Sequence, residues 1–326
     1  MSFRDPIRLI NVGILHGVVT STPAVRLQSV SKSYGDVQAL DDVSFDILEG
    51  EIFGLLGPNG SGKTTMINCI TQLADRDSGE ITVMGLDIDE EYNEARKKIG
   101  LSLQEPQADL YFSVRRGLIY QAGYYGIPAS RAGDRVDTLL QQFDLYGKRD
   151  ESFRELSGGM QRKVSLIKAL LHEPDVLILD EPTAALDVEA RHDLWDHVRR
   201  VNDEGITILL TTHYIEEAEA MCDRICFLRD GKVLKIDRKD TIMQTLSQNK
   251  ITFSFQDDIP SFPQGFPDHA VFEDRGEVEI TVAEKDQSQV LRETLQILED
   301  AQIDYHNFTI EQDRLENIFR RVIWDE

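Results

Sequence analysis

A chain of 326 residues has room for a full α/β domain and a smaller one beside it. Hydrophobic residues make up 41% and charged residues 29%, the balance of a soluble globular protein, and the net charge of −23 argues against holding nucleic acid or anionic membrane through a general electrostatic field. No run approaches the ~18 apolar residues that cross a bilayer, so a membrane task would need another chain to supply the channel.

Cys69, Cys222 and Cys226 cannot all pair and lack metal-ligand spacing, so they read as buried free thiols in a reducing compartment. Arginine outnumbers lysine; an acidic, lysine-poor balance suits a salt-adapted host, and is read first as that of an ordinary acidic protein.

Residues 1–24 weakly imitate a secretory leader, with Arg4 and Arg8 ahead of an apolar run from Leu9 to Val19. Asn11 and His16 interrupt that run, so a disordered leader, or an over-extended start site, is expected. From Val25 the alternation Val25-Arg26-Leu27, a turn at Tyr34-Gly35-Asp36, and Val43-Ser44-Phe45-Asp46-Ile47 predict half-buried antiparallel strands. Ile52–Leu56 reads as a buried strand. The stretch Gly57-Pro58-Asn59-Gly60-Ser61-Gly62-Lys63-Thr64-Thr65 then fits G-x-x-x-x-G-K-[ST] without mismatch. Met66, Cys69, Ile70 and Leu73 form one helical face behind it. Glycines let such a loop curl so that backbone N–H groups face phosphates, reinforced by the helix N-terminus. Lys63 would bring a charge to the outer phosphates, and the Thr64 hydroxyl would bind Mg²⁺; by itself the loop says only that the chain is an NTPase.

Further along, Glu91–Ile99 is expected to be a solvated helix, and Val114 to about Phe143 is expected to be helical with a break at Gly126-Ile127-Pro128. Leu156-Ser157-Gly158-Gly159-Met160-Gln161 opens another helix. Val176–Leu179 is a doubly buried strand closing on Asp180, a carboxylate suited to the same Mg²⁺. Glu181 follows and could accept a proton from the attacking water. Ile206–Leu210 is the next buried strand, ending at Thr211-Thr212-His213. Ile225–Leu228 and Val233–Ile236, joined by Asp230-Gly231, predict a closing hairpin. Beyond Asn249 short strands and helices predict a small α+β domain.

These motifs resemble the ATPase subunit of an ATP-binding-cassette (ABC) transporter over about Val25 to Arg238, the stretch Leu156–Gln161 being that family's signature motif. The resemblance implies an α/β P-loop NTPase cassette with a RecA-like core, an antiparallel β subdomain and a helical subdomain at about 105–160. It divides the chain into the leader at 1–24, a nucleotide-binding domain at 25–245 and a small C-terminal α+β domain at 250–326.

It further implies that Tyr34 stacks on adenine, that Gln104 meets Mg²⁺ or the water, and that His213 senses the γ-phosphate. Ser157, Gly158 and Gly159 would face the ATP of an opposite subunit, giving a head-to-tail homodimer with Asp187 at its seam. Ala185 stands where the family commonly has glycine. Gln121–Gly126, Thr211–Tyr214 and Leu315-Glu316-Asn317-Ile318-Phe319 resemble the ABC-2-type exporter group, including drug and antibiotic efflux ATPases. This places the protein on the cytoplasmic face of the membrane, under a separate permease touching about 105–126, with no direct nucleic-acid partner. The alternatives are a solute importer's ATPase and a soluble non-transport ABC ATPase.

Overall fold

The computed structural model describes residues 23–105, 111–255, 263, 265–267, 270–273 and 276–324. The expected leader lies outside them except for Pro23 and Ala24, which belong to a strand. That strand, β1 (Pro23–Tyr34), pairs antiparallel with β2 (Val37–Leu48). Alternation drives Val25 and Leu27 on β1 and Val43, Phe45 and Ile47 on β2 inward, a register shift after Leu27 brings Val30 in with them, and Ala24 is fully buried too. β3 (Ile52–Leu56) is buried at every position. The glycine loop follows, then helix α1 (Lys63–Ile70). β4 (Ser78–Val83) and β5 (Leu86–Asp87) extend the first sheet in the order β2-β1-β4-β5.

The solvated helix α2 (Tyr92–Lys97) leads to β6 (Ile99–Ser102). Helices α3 (Val114–Tyr124) and α4 (Ala129–Gln142) are split at Gly126, whose φ of +74 suits glycine at a helix end. Proline 128 cannot continue α3, and its fixed φ starts α4. Helix α5 (Gly158–Leu170) precedes β7 (Val176–Asp180), which pairs parallel with β6. Helix α6 (Val188–Asp203), strand β8 (Thr207–Thr212) and helix α7 (Ile215–Met221) follow.

β9 (Arg224–Arg229) and β10 (Lys232–Arg238) form the expected hairpin through Asp230-Gly231, both at positive φ. After α8 (Lys239–Leu246) come β11 (Gln248–Phe255), β12 (Ala270–Glu273), β13 (Glu277–Ala283), α9 (Gln287–Asp300), β14 (Tyr305–Glu311) and α10 (Leu315–Trp324).

The chain divides into two compact units. One holds the described residues up to Glu51 together with Thr65–Leu209; its interior joins the antiparallel sheet, the β6–β7 pair and helices α2 to α6. The other holds Ile52–Thr64 and Leu210–Glu326. Here β3 lies parallel to β9, and a second antiparallel sheet in the order β12-β13-β11-β14 packs Ile251, Phe253, Val278 and Ile280 under α9. Within this second unit α10 packs back on α7 and β9.

Candidate functional site

The glycine loop is built for close backbone approach. A Cβ at position 57 would lie 2.3 Å from the Leu228 carbonyl oxygen and 2.4 Å from Ser61 Oγ, so only glycine fits. Gly60 (φ +83) and Gly62 (φ +109) supply the left-handed turns that curl the chain. Lys63 is only 6% exposed. Its ammonium donates to the carbonyls of Gly57 (2.7 Å) and Pro58 (3.1 Å), which holds it inside the curl. Ser61 Oγ is buried without a hydrogen-bond partner among the described residues. A buried hydroxyl left so is costly, and a phosphate oxygen would satisfy it. Thr64 points outward, and Thr65 is half-buried. In the same unit His213 stands exposed at the end of β8, its ring 4.1 Å from that of Tyr214. The backbone N–H of Tyr214 donates to Thr212 Oγ1 (2.9 Å), fixing the bend that presents the imidazole.

In the other unit Asp180 and Glu181 close the fully buried β7. Glu181 is 9% exposed and adopts φ +46, a conformation that costs a non-glycine residue about 1 kcal/mol and takes the backbone out of the strand. Gln104 Nε2 donates to Glu181 Oε2 (3.2 Å), so the fold brings together two residues 77 apart in sequence. Ala185 has φ +62, the backbone that the family's usual glycine would adopt without strain. Asp187 is the N-cap of α6, its Oδ1 accepting from the Ala190 N–H (2.8 Å). Tyr34, 49% exposed at the end of β1, has the Lys32 ammonium 5.2 Å from its ring centre.

Ser157 caps α5, accepting from the Met160 N–H (3.4 Å), and with Gly158 it is solvent-exposed. The other signature residues differ in kind. Leu156 is buried, and Gln161 donates to the Phe153 and Leu156 carbonyls (both 3.2 Å), tying the turn to the helix. Gly159 lies where a Cβ would meet Ala190 at 3.1 Å, so the start of α5 and the start of α6 pack closely.

Residues 106–110 of the expected permease contact lie outside the described residues. Of the remainder, Gln121, Tyr124, Tyr125 and Gly126 line a cleft of about 1480 Å³ walled also by Leu73, Lys97, Ile127 and Arg131. The aromatic cluster over 111–125 separates into two kinds. Tyr111 and Tyr124 stand in solvent, whereas Phe112 and Tyr120 pack at 4.7 Å beneath the Arg116 guanidinium. Tyr125 stacks on His172 at 4.0 Å. Burial lowers the pKa of both His172 and Lys168 along this cleft.

Sequence reasoning missed one support of the loop, the β9–β10 turn. The Gly231 N–H donates to the Ser61 carbonyl (3.0 Å), and Leu228 crowds Gly57. Asp230-Gly231 announced a hairpin but carried no sign of what it would touch.

A glycine cradle after a buried strand, with buried carboxylates closing another, defines an α/β nucleotide-binding cassette. Comparison with known proteins agrees. The ABC transporter family pattern matches residues 40–184. The Nod factor export ATP-binding protein I of Burkholderia orbicola (strain AU 1054) is 42% identical over 212 residues, covering 65% of this chain and 70% of that protein. The protein of the same name from Burkholderia thailandensis is 40% identical over 225 residues, 69% of this chain and 74% of its own.

Among solved structures, an ATP-binding subunit of an ABC transporter matches with a TM-score of 0.61 at 30% identity, over 68% of this chain and 92% of that one. A dimeric ATP-binding cassette in a post-hydrolysis state, bound to ADP and Pi, matches with a TM-score of 0.60 at 28% identity, over 66% and 98%. The chain belongs to the ATP-binding family of ABC transporters. Among the described residues no helix is long and apolar enough to cross a membrane.

Proposed function

We propose that this chain is the Mg²⁺-dependent ATPase of an exporter, driving a separate ABC-2-type permease from the cytoplasmic face of the membrane. The observation that carries hydrolysis, as distinct from binding alone, is the buried Glu181 carboxylate at the end of its strand, accepting a hydrogen bond from Gln104. Gly57–Thr65 binds the phosphates of ATP, with Lys63 supplying charge, and Tyr34 stacks on the base. Thr64 and Asp180 would hold the metal, hard oxygen donors of the kind Mg²⁺ prefers. When bound, Mg²⁺ would supply positive charge against the outer phosphates. Glu181 orients the attacking water and takes its proton, Gln104 steadies that carboxylate, and His213 donates to the γ-phosphate.

Ser157–Gly159 acts on the ATP of a second copy, with Asp187 at the seam. The names of the relatives, which concern export, support the direction of transport. The permease is assigned to the cleft beside Tyr124 and Arg131, where apolar and basic groups suit a partner helix. Neither an importer's ATPase nor a soluble ABC ATPase has a specific observation in its favour. The test is phosphate release by the purified chain with and without Mg²⁺, followed by co-purification from detergent-solubilised membranes and identification of what comes with it. Turnover that ignores EDTA removes the metal assignment, and recovery only with soluble partners removes the exporter.

A further inference from the structure

We propose that the C-terminal helix α10 is a clasp that positions the phosphate loop, with Arg229 as the positioning residue that joins them. The stretch Leu315–Phe319 is not used by the reading above, yet the fold puts it to work. Phe319 lies edge-on against Phe227 of β9 at 5.5 Å. Two residues along the same strand face, Arg229 donates to the Ile323 carbonyl, and its guanidinium lies 5.3 Å from the Trp324 ring centre. Between them, Leu228 presents the carbonyl that leaves no room for a Cβ at Gly57. Immediately beyond, the Gly231 N–H donates to the Ser61 carbonyl (3.0 Å). The last turn of α10 therefore grips one side of a five-residue segment, Phe227–Gly231, whose backbone braces the loop. α10 also packs on α7, which starts two residues after His213.

A loop that binds phosphate through backbone N–H groups depends on the placement of its backbone, since its donors must converge on one point. Loosening the brace costs ATP affinity before it costs the chemical step. This inference rests on the assignment of Gly57–Thr65 as the ATP loop, and Lys63→Ala tests that assignment separately.

The experiment uses the full chain and a fluorescent ATP analogue, with steady-state ATPase kinetics alongside. Trp324 is 53% exposed, so its loss removes little packing. Trp324→Ala and Arg229→Gln are expected to raise the dissociation constant and the KM for ATP by at least about fivefold, with kcat within about twofold of wild type. Trp324→Phe, which keeps a ring under the guanidinium, is expected to bind as wild type does. Wild-type affinity in both Trp324→Ala and Arg229→Gln overturns the proposal, even where their melting temperatures fall. So does a loss in Trp324→Phe equal to that in Trp324→Ala. If Lys63→Ala also leaves affinity unchanged, the loop assignment itself has failed.

Discussion

Lys63 and Ser157 both sit where a glycine-rich stretch enters a helix, and there the likeness stops. The phosphate loop is enclosed by its own chain. Lys63 is buried, Gly57 is crowded by Leu228, and the Ser61 carbonyl is bonded to Gly231. Ser157 and Gly158 stand in solvent, and the close packing lies behind them: Gln161 ties back to the Phe153 and Leu156 carbonyls, and Ala190 lies against Gly159. The same device, backbone N–H groups at a helix start, is thus closed in one place and open in the other. A closed cradle can bind a nucleotide by itself, whereas an open one has donors that only another molecule can use. This contrast is why the proposed catalytic unit is two chains.

Removing the proposed proton acceptor should have the largest effect, ahead of breaking the closed loop. Glu181→Gln keeps the Gln104 contact possible but removes the proton acceptor, and phosphate release should fall by roughly 10²–10⁴-fold with ATP binding retained. A single-turnover assay beside equilibrium binding checks both halves. Lys63→Ala comes next, with ATP affinity down by more than about tenfold, because a charge-assisted contact to phosphate is worth on the order of 1.5–3 kcal/mol. Titration of a fluorescent ATP analogue reads it.

The contrast can also be sharpened from behind the open side. Lys163 of the signature helix α5 pairs with Asp193 at 2.6 Å and donates to the Phe143 carbonyl. His197, 1% exposed and stacked on Phe143, sits among them. Burial, with Lys163 and Arg200 nearby, lowers its pKa from 6.5 to about 4, against the weaker pull of Asp193 and Asp144. The unfolded chain binds this proton first, so the contribution is whole above about pH 6.5 and is lost as pH falls toward 4. At pH 5 the loss amounts to about 2 kcal/mol. Urea unfolding at pH 7 and pH 5 should show that much more acid sensitivity in wild type than in His197→Gln.

The smallest effect belongs to Ala185. At φ +62 it carries strain that glycine would not, so Ala185→Gly should stabilise the fold by about 0.5–1 kcal/mol, after allowing for glycine's greater freedom when unfolded. A calorimetric melting temperature measures it.

What was legible in the sequence was whatever the backbone does locally. The strand–loop–helix around Gly57–Thr64, the doubly buried strand ending at Asp180 and the break at Gly126-Ile127-Pro128 each follow from spacing and from the special conformations of glycine and proline. The Ala185 conformation was signalled only through resemblance, since nothing in the residue alanine announces a positive φ. Contacts across long stretches of chain were not legible. Gln161 as a tie for its own turn, His197 as a buried neutral ring, and Leu228 and Gly231 as supports of the loop depend on which elements the fold brings together. The first strand was expected to start at Val25 and starts at Pro23, because pairing with Leu48 carries the ladder further than alternation alone marks.

The most direct measurement is sedimentation velocity of Glu181→Gln with ATP, compared with the same protein carrying Ser157→Arg. The open signature stretch should make the first a dimer and the second a monomer, with equal ATP affinity in both. A monomer in the first case, or an undisturbed dimer in the second, would contradict the claim that one chain's signature completes the other's site.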